Sequence, residues 1–160
     1  MENGPGLFGY CDADWGNNID DRKSYTGYTF VIAGGAVSWQ VKKQQTVALS
    51  SMEAEYMSAT QEVKEALWWR SFLSELGMAL SGETILLSDS NGAIDLAKNP
   101  EFHPRSKHID IRHHFIREHI ANKAVKMIHI NTEIMAANVL TKPLGRSRHH
   151  SLLKFFGVQA

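Results

Sequence analysis

Hydrophobic and polar positions divide the chain into short alternating runs, one long helical run and a mixed series after it. Leu7 to Asp14 (LFGYCDAD) alternates as a strand does and ends in acids. Trp15 to Lys23 is polar and reads as a loop. Tyr25 to Ala33 (YTGYTFVIA) is rich in aromatic and β-branched residues. Gly34-Gly35 turns it into Ala36 to Lys42, so the first three strands are antiparallel. From about Ser50 to Leu76 the apolar residues Tyr56, Ala59, Val63, Ala66, Leu67, Trp69 and Phe72 recur at helical spacing. Ser50 or Ser51 can cap this helix, Glu53 suits its first turn, and Gly77 stops it.

Thr84 to Asp89 (TILLSD) is a short apolar run ending in an acid, as a central strand buried on both faces would be. A short helix is predicted from Asn91 to Lys98, ending at Pro100, and another from Lys107 to Lys123. Ala124 to Ile130 is the fifth strand, Glu133 to Thr141 a helix before Pro143, and Arg146 to Phe156 a last helix. The order β-β-β-α-β-α-α-β-α predicts an α/β fold: a five-stranded mixed sheet, three antiparallel strands first, with helices on its faces. Residues 1–6 read as a leader, 7–145 as one domain, and 146–160 as a C-terminal helix and tail.

Composition changes this picture little. With 160 residues, 43% of them apolar, the chain holds one ordinary core. Cys11 is the single cysteine, which excludes a disulfide framework and a four-thiolate zinc site and fits a reducing compartment. No apolar run approaches the roughly 18 residues of a membrane helix, so a soluble, intracellular protein with no membrane partner is expected. Lys plus Arg and Asp plus Glu each number 17, which argues against nucleic-acid binding by bulk charge alone. Separate acidic and basic patches remain compatible with that balance.

Three acids fall at related places: Asp12 on the first strand, Glu55 in the second turn of the long helix, and Asp89 at the end of the fourth strand. If those two strands are neighbours, the carboxylates converge. Clustered hard oxygens suit Mg²⁺ or Mn²⁺, and two such ions about 3.5–4 Å apart promote phosphodiester cleavage. The same acids also read as ordinary surface residues. Spacing alone leaves both readings open.

The strings GYCDADW, DRKSYTGYTF, VSWQVKKQQTVALSSMEAEYMSA, LLSDSNGAIDLAKNP, RSKHIDIRHHFIRE and AANVLTKPL resemble the ribonuclease H region of copia-type retrotransposon polyproteins. They stand in the family's order from Gly9 to Leu144. The resemblance implies a ribonuclease H-like fold and cleavage of the RNA strand of an RNA·DNA hybrid by two divalent ions on a DEDD carboxylate set. It further implies a reverse transcriptase polymerase domain in the same polyprotein and a setting in the element's cytoplasmic virus-like particle. Asp12 and Asp89 match the first and third carboxylates. Of the two acids in SMEAEYMSA, Glu55 fits the wider pattern of Glu, apolar, any, small, whereas Glu53 reads as a first-turn helix acid. Asp14, on the same strand face as Asp12, is read as structural or as a support behind the metals.

The fourth carboxylate falls, by the same resemblance, at Asn138. An amide matches a carboxylate in shape but carries no charge, and its NH₂ cannot ligate a cation. A slow or inactive protein is therefore expected. The change is either a deliberate Asp-to-Asn replacement or the decay of one element copy, and the otherwise intact motifs favour the first. A histidine that many cellular relatives carry before the last acid has no counterpart in Asn131 to Ala137.

For the hybrid, resemblance places Ser50 and Ser51 at the minor groove and a DNA phosphate, with helix capping as the plain alternative. It sets Asn91 against a 2′-hydroxyl or base edge. Arg22, Lys23, Lys42 and Lys43 are candidate phosphate contacts, though any single one of them reads more readily as a solvated surface base. Trp39, Trp68 and Trp69 can stack on sugars but fit a core better. His108, His113, His114 and His119 have zinc-like helical spacing. They lack thiolate partners, and the helix reads instead as a face toward nucleic acid or a neighbouring domain. The main reading is a metal-dependent endonuclease. Its rivals are a catalytically dead hybrid-binding module and, more weakly, a structural tether.

Overall fold

The structure is a computed structural model describing residues 6–16, 20–98 and 107–158, with backbone alone for 107–110. Five strands form one sheet: β1 (Phe8–Ala13), β2 (Tyr25–Ile32), β3 (Gly35–Lys43), β4 (Thr84–Ser88) and β5 (Val125–His129). Their order is β3-β2-β1-β4-β5. β1 runs antiparallel to β2 and parallel to β4, and β5 is parallel to β4. This is the expected mixed sheet, with β1 and β4 adjacent. In their register Tyr10 stands beside Leu87, so two residues further on Asp12 and Asp89 arrive level with each other.

Helix α1 (Ser51–Glu75) forms as its signals predict. Ser50 Oγ accepts from the Glu53 N–H at 3.1 Å, and Glu53 reaches back to the Leu49 N–H at 2.7 Å. At the other end Gly77 takes a φ of 76°, while Met78 N–H bonds to Leu73 O at 2.8 Å and Gly77 N–H to Ser74 O at 3.0 Å, closing the carbonyl end. Helices α2 (Asn91–Lys98) and α3 (Lys107–Ala121) join α1 over one face of the sheet. Cys11, Phe30, Tyr56, Val63, Leu86, Ile116 and Met127 make the core there. The opposite face buries Tyr10 and Val31 under Met135, Ala136 and Ala137, with Phe155 and Phe156 packed alongside.

Three expectations need correction. The helix expected over Glu133 to Thr141 is instead a 3₁₀ turn at Thr132–Ile134, an extended Met135 (ψ 95°) and a single turn, α4 (Asn138–Thr141). Met135, Ala136 and Ala137 are all fully buried, and three successive inward residues cannot share one face of a helix. Burial of the apolar run overrides local propensity. The last helix likewise ends early: α5 spans Arg146–Leu153 and tightens to a 3₁₀ turn at Lys154–Phe156. Trp39 and Trp68 are not core residues, being 63% and 54% exposed. Trp39 lies on edge strand β3, one residue past Ser38, which faces α1 through a hydrogen bond to Glu65. Trp68 stacks on Phe72 along the outside of α1.

Candidate active site at the ends of β1 and β4

Three elements deliver one acid each. Asp12 is fully buried near the end of β1, Asp89 directly follows β4, and Glu55 descends from the second turn of α1. One ligand oxygen from each lies within 4.8 Å of the others, the one such group of metal-binding side chains among the described residues. Two hydrogen bonds pin α1 to β1 at this level. Ala13 N–H donates to Glu55 Oε2 at 3.2 Å, and Ser58 Oγ donates to the Asp12 carbonyl at 2.9 Å.

The electrostatics follow from that crowding. Burial, and then the charges of Asp12 and Asp89, push the Glu55 carboxyl up to about 9 against the opposing pull of Lys142 and the Ala13 N–H. Burial also raises Asp12, while Lys142 and the Thr141 hydroxyl pull it back. Three carboxylates this close resist shared ionisation unless a cation joins them. Their hard oxygen donors fit a divalent ion of the Mg²⁺ class.

Asn138 lies beside this cluster, fully buried at the start of α4. Its Nδ2 donates to Thr132 O at 3.1 Å, and its Oδ1 accepts from Lys142 Nζ at 2.6 Å. The same ammonium reaches Asp12 Oδ1 at 2.8 Å, and the Thr141 hydroxyl donates to Asp12 Oδ2. Gly27, the β2 partner of Asp12, makes this approach feasible. A Cβ there would stand 2.6 Å from Thr141 Cγ2 and 3.0 Å from Leu140 Cβ.

The residues expected to grip substrate are more scattered. Ser50 spends its hydroxyl on the helix cap, and Ser51 is exposed next to it. Asn91 is exposed at the first position of α2. Lys43 pairs with Asp21 at 3.0 Å, and the Lys23 N–H donates to the same carboxylate at 3.1 Å. Arg22 is exposed and adopts φ 56°. Asp14 accepts from the Tyr25 N–H and so extends the β1–β2 pairing. His113 stacks on Tyr56 and His119 meets Phe115 edge-on, whereas the side chain of His108 lies outside the described residues. Sequence reasoning passed over Lys142 and Thr141, although the helical spacing of Asn138 and Lys142 was a usable signal. It also passed over Lys64 and Arg112, which line a groove with Lys42 and Lys43.

Known proteins add the rest. The chain is 46% identical over 98% of its length to the Retrovirus-related Pol polyprotein from transposon TNT 1-94 of Nicotiana tabacum. It is 40% identical over 95% of its length to the corresponding polyproteins of transposons RE2 and RE1 of Arabidopsis thaliana. The chain is a homologue of retrotransposon Pol polyproteins. It spans 10–12% of the length of these relatives. No protein-family model matches it. Among solved structures, LC11-RNase H1 superposes with a TM-score of 0.62 at 14% identity, covering 88% of this chain and 94% of that one. LC11-RNase H1 in complex with an RNA/DNA hybrid gives 0.60 at 12% identity, covering 84% and 93%. The prototype foamy virus protease-reverse transcriptase gives 0.55 at 14% identity, covering 81% of this chain and 18% of that one. The Pol segment therefore has the ribonuclease H fold.

Proposed function

We propose that this Pol segment is a ribonuclease H, hydrolysing the RNA strand of an RNA·DNA hybrid during reverse transcription and slowed by Asn138. The observation that carries this reading is the meeting of Asp12, Glu55 and Asp89, from three separate elements, within 4.8 Å. The Pol relatives and the hybrid-bound ribonuclease H structure support it. Asp12, Glu55 and Asp89, with the amide oxygen of Asn138, would hold two Mg²⁺ or Mn²⁺ ions. When bound, such ions supply an activated water and neutralise charge on the leaving oxygen.

The protein's own part is positioning. The Ala13 N–H fixes Glu55, and the Thr141 hydroxyl orients Asp12. Ser50, Ser51 and Asn91 would read the minor groove and 2′-hydroxyls, and Arg22, Lys23 and Lys43 would follow phosphates. The polymerase domain of the same polyprotein is the proposed partner, inside an intracellular particle of the element. Asn138 favours a second reading, a hybrid-binding module that supports the polymerase without cutting.

Cleavage of a labelled RNA·DNA hybrid, in Mg²⁺ and in Mn²⁺, tests the proposal. Asn138→Asp is expected to cut the RNA strand at least about tenfold faster than the chain with Asn138, and Asp12→Asn in that background to abolish cutting. Hybrid binding without cleavage by either chain would replace the enzyme with the binding module.

A further inference from the structure

Lys142 occupies a place that the acids alone do not explain. It caps the end of α4, where its N–H bonds to Asn138 O at 3.0 Å, and it is extended (φ −128°, ψ 141°) as a residue before proline must be. That fixed backbone, with α4 seated against Gly27, sends the ammonium inward. There it lies 2.8 Å from Asp12 Oδ1 and 2.6 Å from Asn138 Oδ1, two oxygens that a cation on this side of the cluster would also use. The Asp12 side chain is fully buried and that of Lys142 is 34% exposed, so the pair is shielded from solvent on the Asp12 side. With a neutral amide at position 138, the ammonium makes its ion pair with Asp12 and meets no second carboxylate at that position.

We propose that Lys142 is a resident cation on the Asn138 side of the cluster. Without hybrid, the chain then takes one divalent ion, at Asp12, Glu55 and Asp89, and admits a second only by displacing the ammonium. The inference rests on reading those three acids as a metal site. Asn138 thus does more than remove a charge, because it leaves Lys142 without a second carboxylate competing for cations.

Mn²⁺ binding to the whole chain, followed by calorimetry and by the paramagnetic signal of free Mn²⁺, tests this without relying on activity. The unsubstituted chain and Lys142→Arg are expected to bind one ion. Lys142→Gln should bind that ion at least about fivefold more tightly and take a second. Equal number and affinity in the unsubstituted chain and Lys142→Gln, with binding lost in Asp12→Asn, would overturn the role of Lys142 and leave the metal site standing. Absence of binding in all of them would remove both. Should Lys142→Gln not fold, the ammonium resonance of Lys142 in the unsubstituted chain decides. It is expected to hold through the first equivalent of Mg²⁺ and move only in excess, and movement with the first equivalent counts against the proposal.

Discussion

Glu55 and Glu62 stand two turns apart on the same side of α1, and they live in different worlds. Glu55 is at the rim of the sheet, with an N–H donor, two neighbouring acids and an ammonium nearby. Glu62 is fully buried further along the helix, and among the described residues neither of its oxygens has a partner within ordinary hydrogen-bond geometry. Burial pushes its carboxyl up to about 8, against the opposing pull of the Cys11 thiol. A Cβ on Gly9 would come within 2.6 Å of Glu62 Oε1, so the carboxyl fits only because β1 carries a glycine there. Residue type and helix face alone thus do not make a candidate metal ligand. What sets Glu55 apart is convergence with acids from other elements.

The sharpest way to break the contrast is at Glu62. Below the ordinary carboxyl value, both the folded and unfolded chains hold its proton. As pH rises above that value the unfolded chain releases the proton while the fold keeps it, so stability declines until about pH 8, where the fold ionises too. Glu62→Gln is expected to remove that decline, with an advantage growing to on the order of 4 kcal/mol between pH 5 and pH 8. Urea unfolding at several pH values checks it, and a parallel decline in both chains would show that Glu62 is ionised normally. Next in size is Gly9→Ala. Its methyl would meet Glu62 Oε1 and, at 2.9 Å, Phe30, with a loss of about 1–3 kcal/mol. The same change made in Glu62→Gln should cost as much if the clash with Phe30 dominates. The smallest effect is expected at the rim. Glu55→Gln should stabilise the metal-free protein by about 1 kcal/mol near neutral pH, because the shift there is partly screened by solvent. It should also weaken the rise in melting temperature on adding Mn²⁺, which thermal melts with and without the ion would reveal.

The aromatic surface teaches a related lesson. Trp39 and Trp68 were legible as candidate core residues because they sit in apolar patterns, but edge position and helix face leave both exposed. Periodicity says which residues share a side. It does not say whether anything lies on that side.

The strands, the long helix and its two ends were legible in the chain itself, because alternation, helical spacing, Ser50 and Gly77 act over a few residues. The acids at Asp12, Glu55 and Asp89 could be singled out for the same reason, since each falls at the end or start of a recognisable element. Tertiary structure alone decided that β1 and β4 are neighbours, which brings those acids within 4.8 Å. It also broke the expected helix at Met135, because three consecutive buried residues had to cover the sheet, and so it placed Asn138 and Lys142. The ammonium between Asp12 and Asn138 joins residues 130 positions apart, and no local pattern specifies such a contact. It depends on Gly27, the β2 residue paired with Asp12, leaving space for α4 to close.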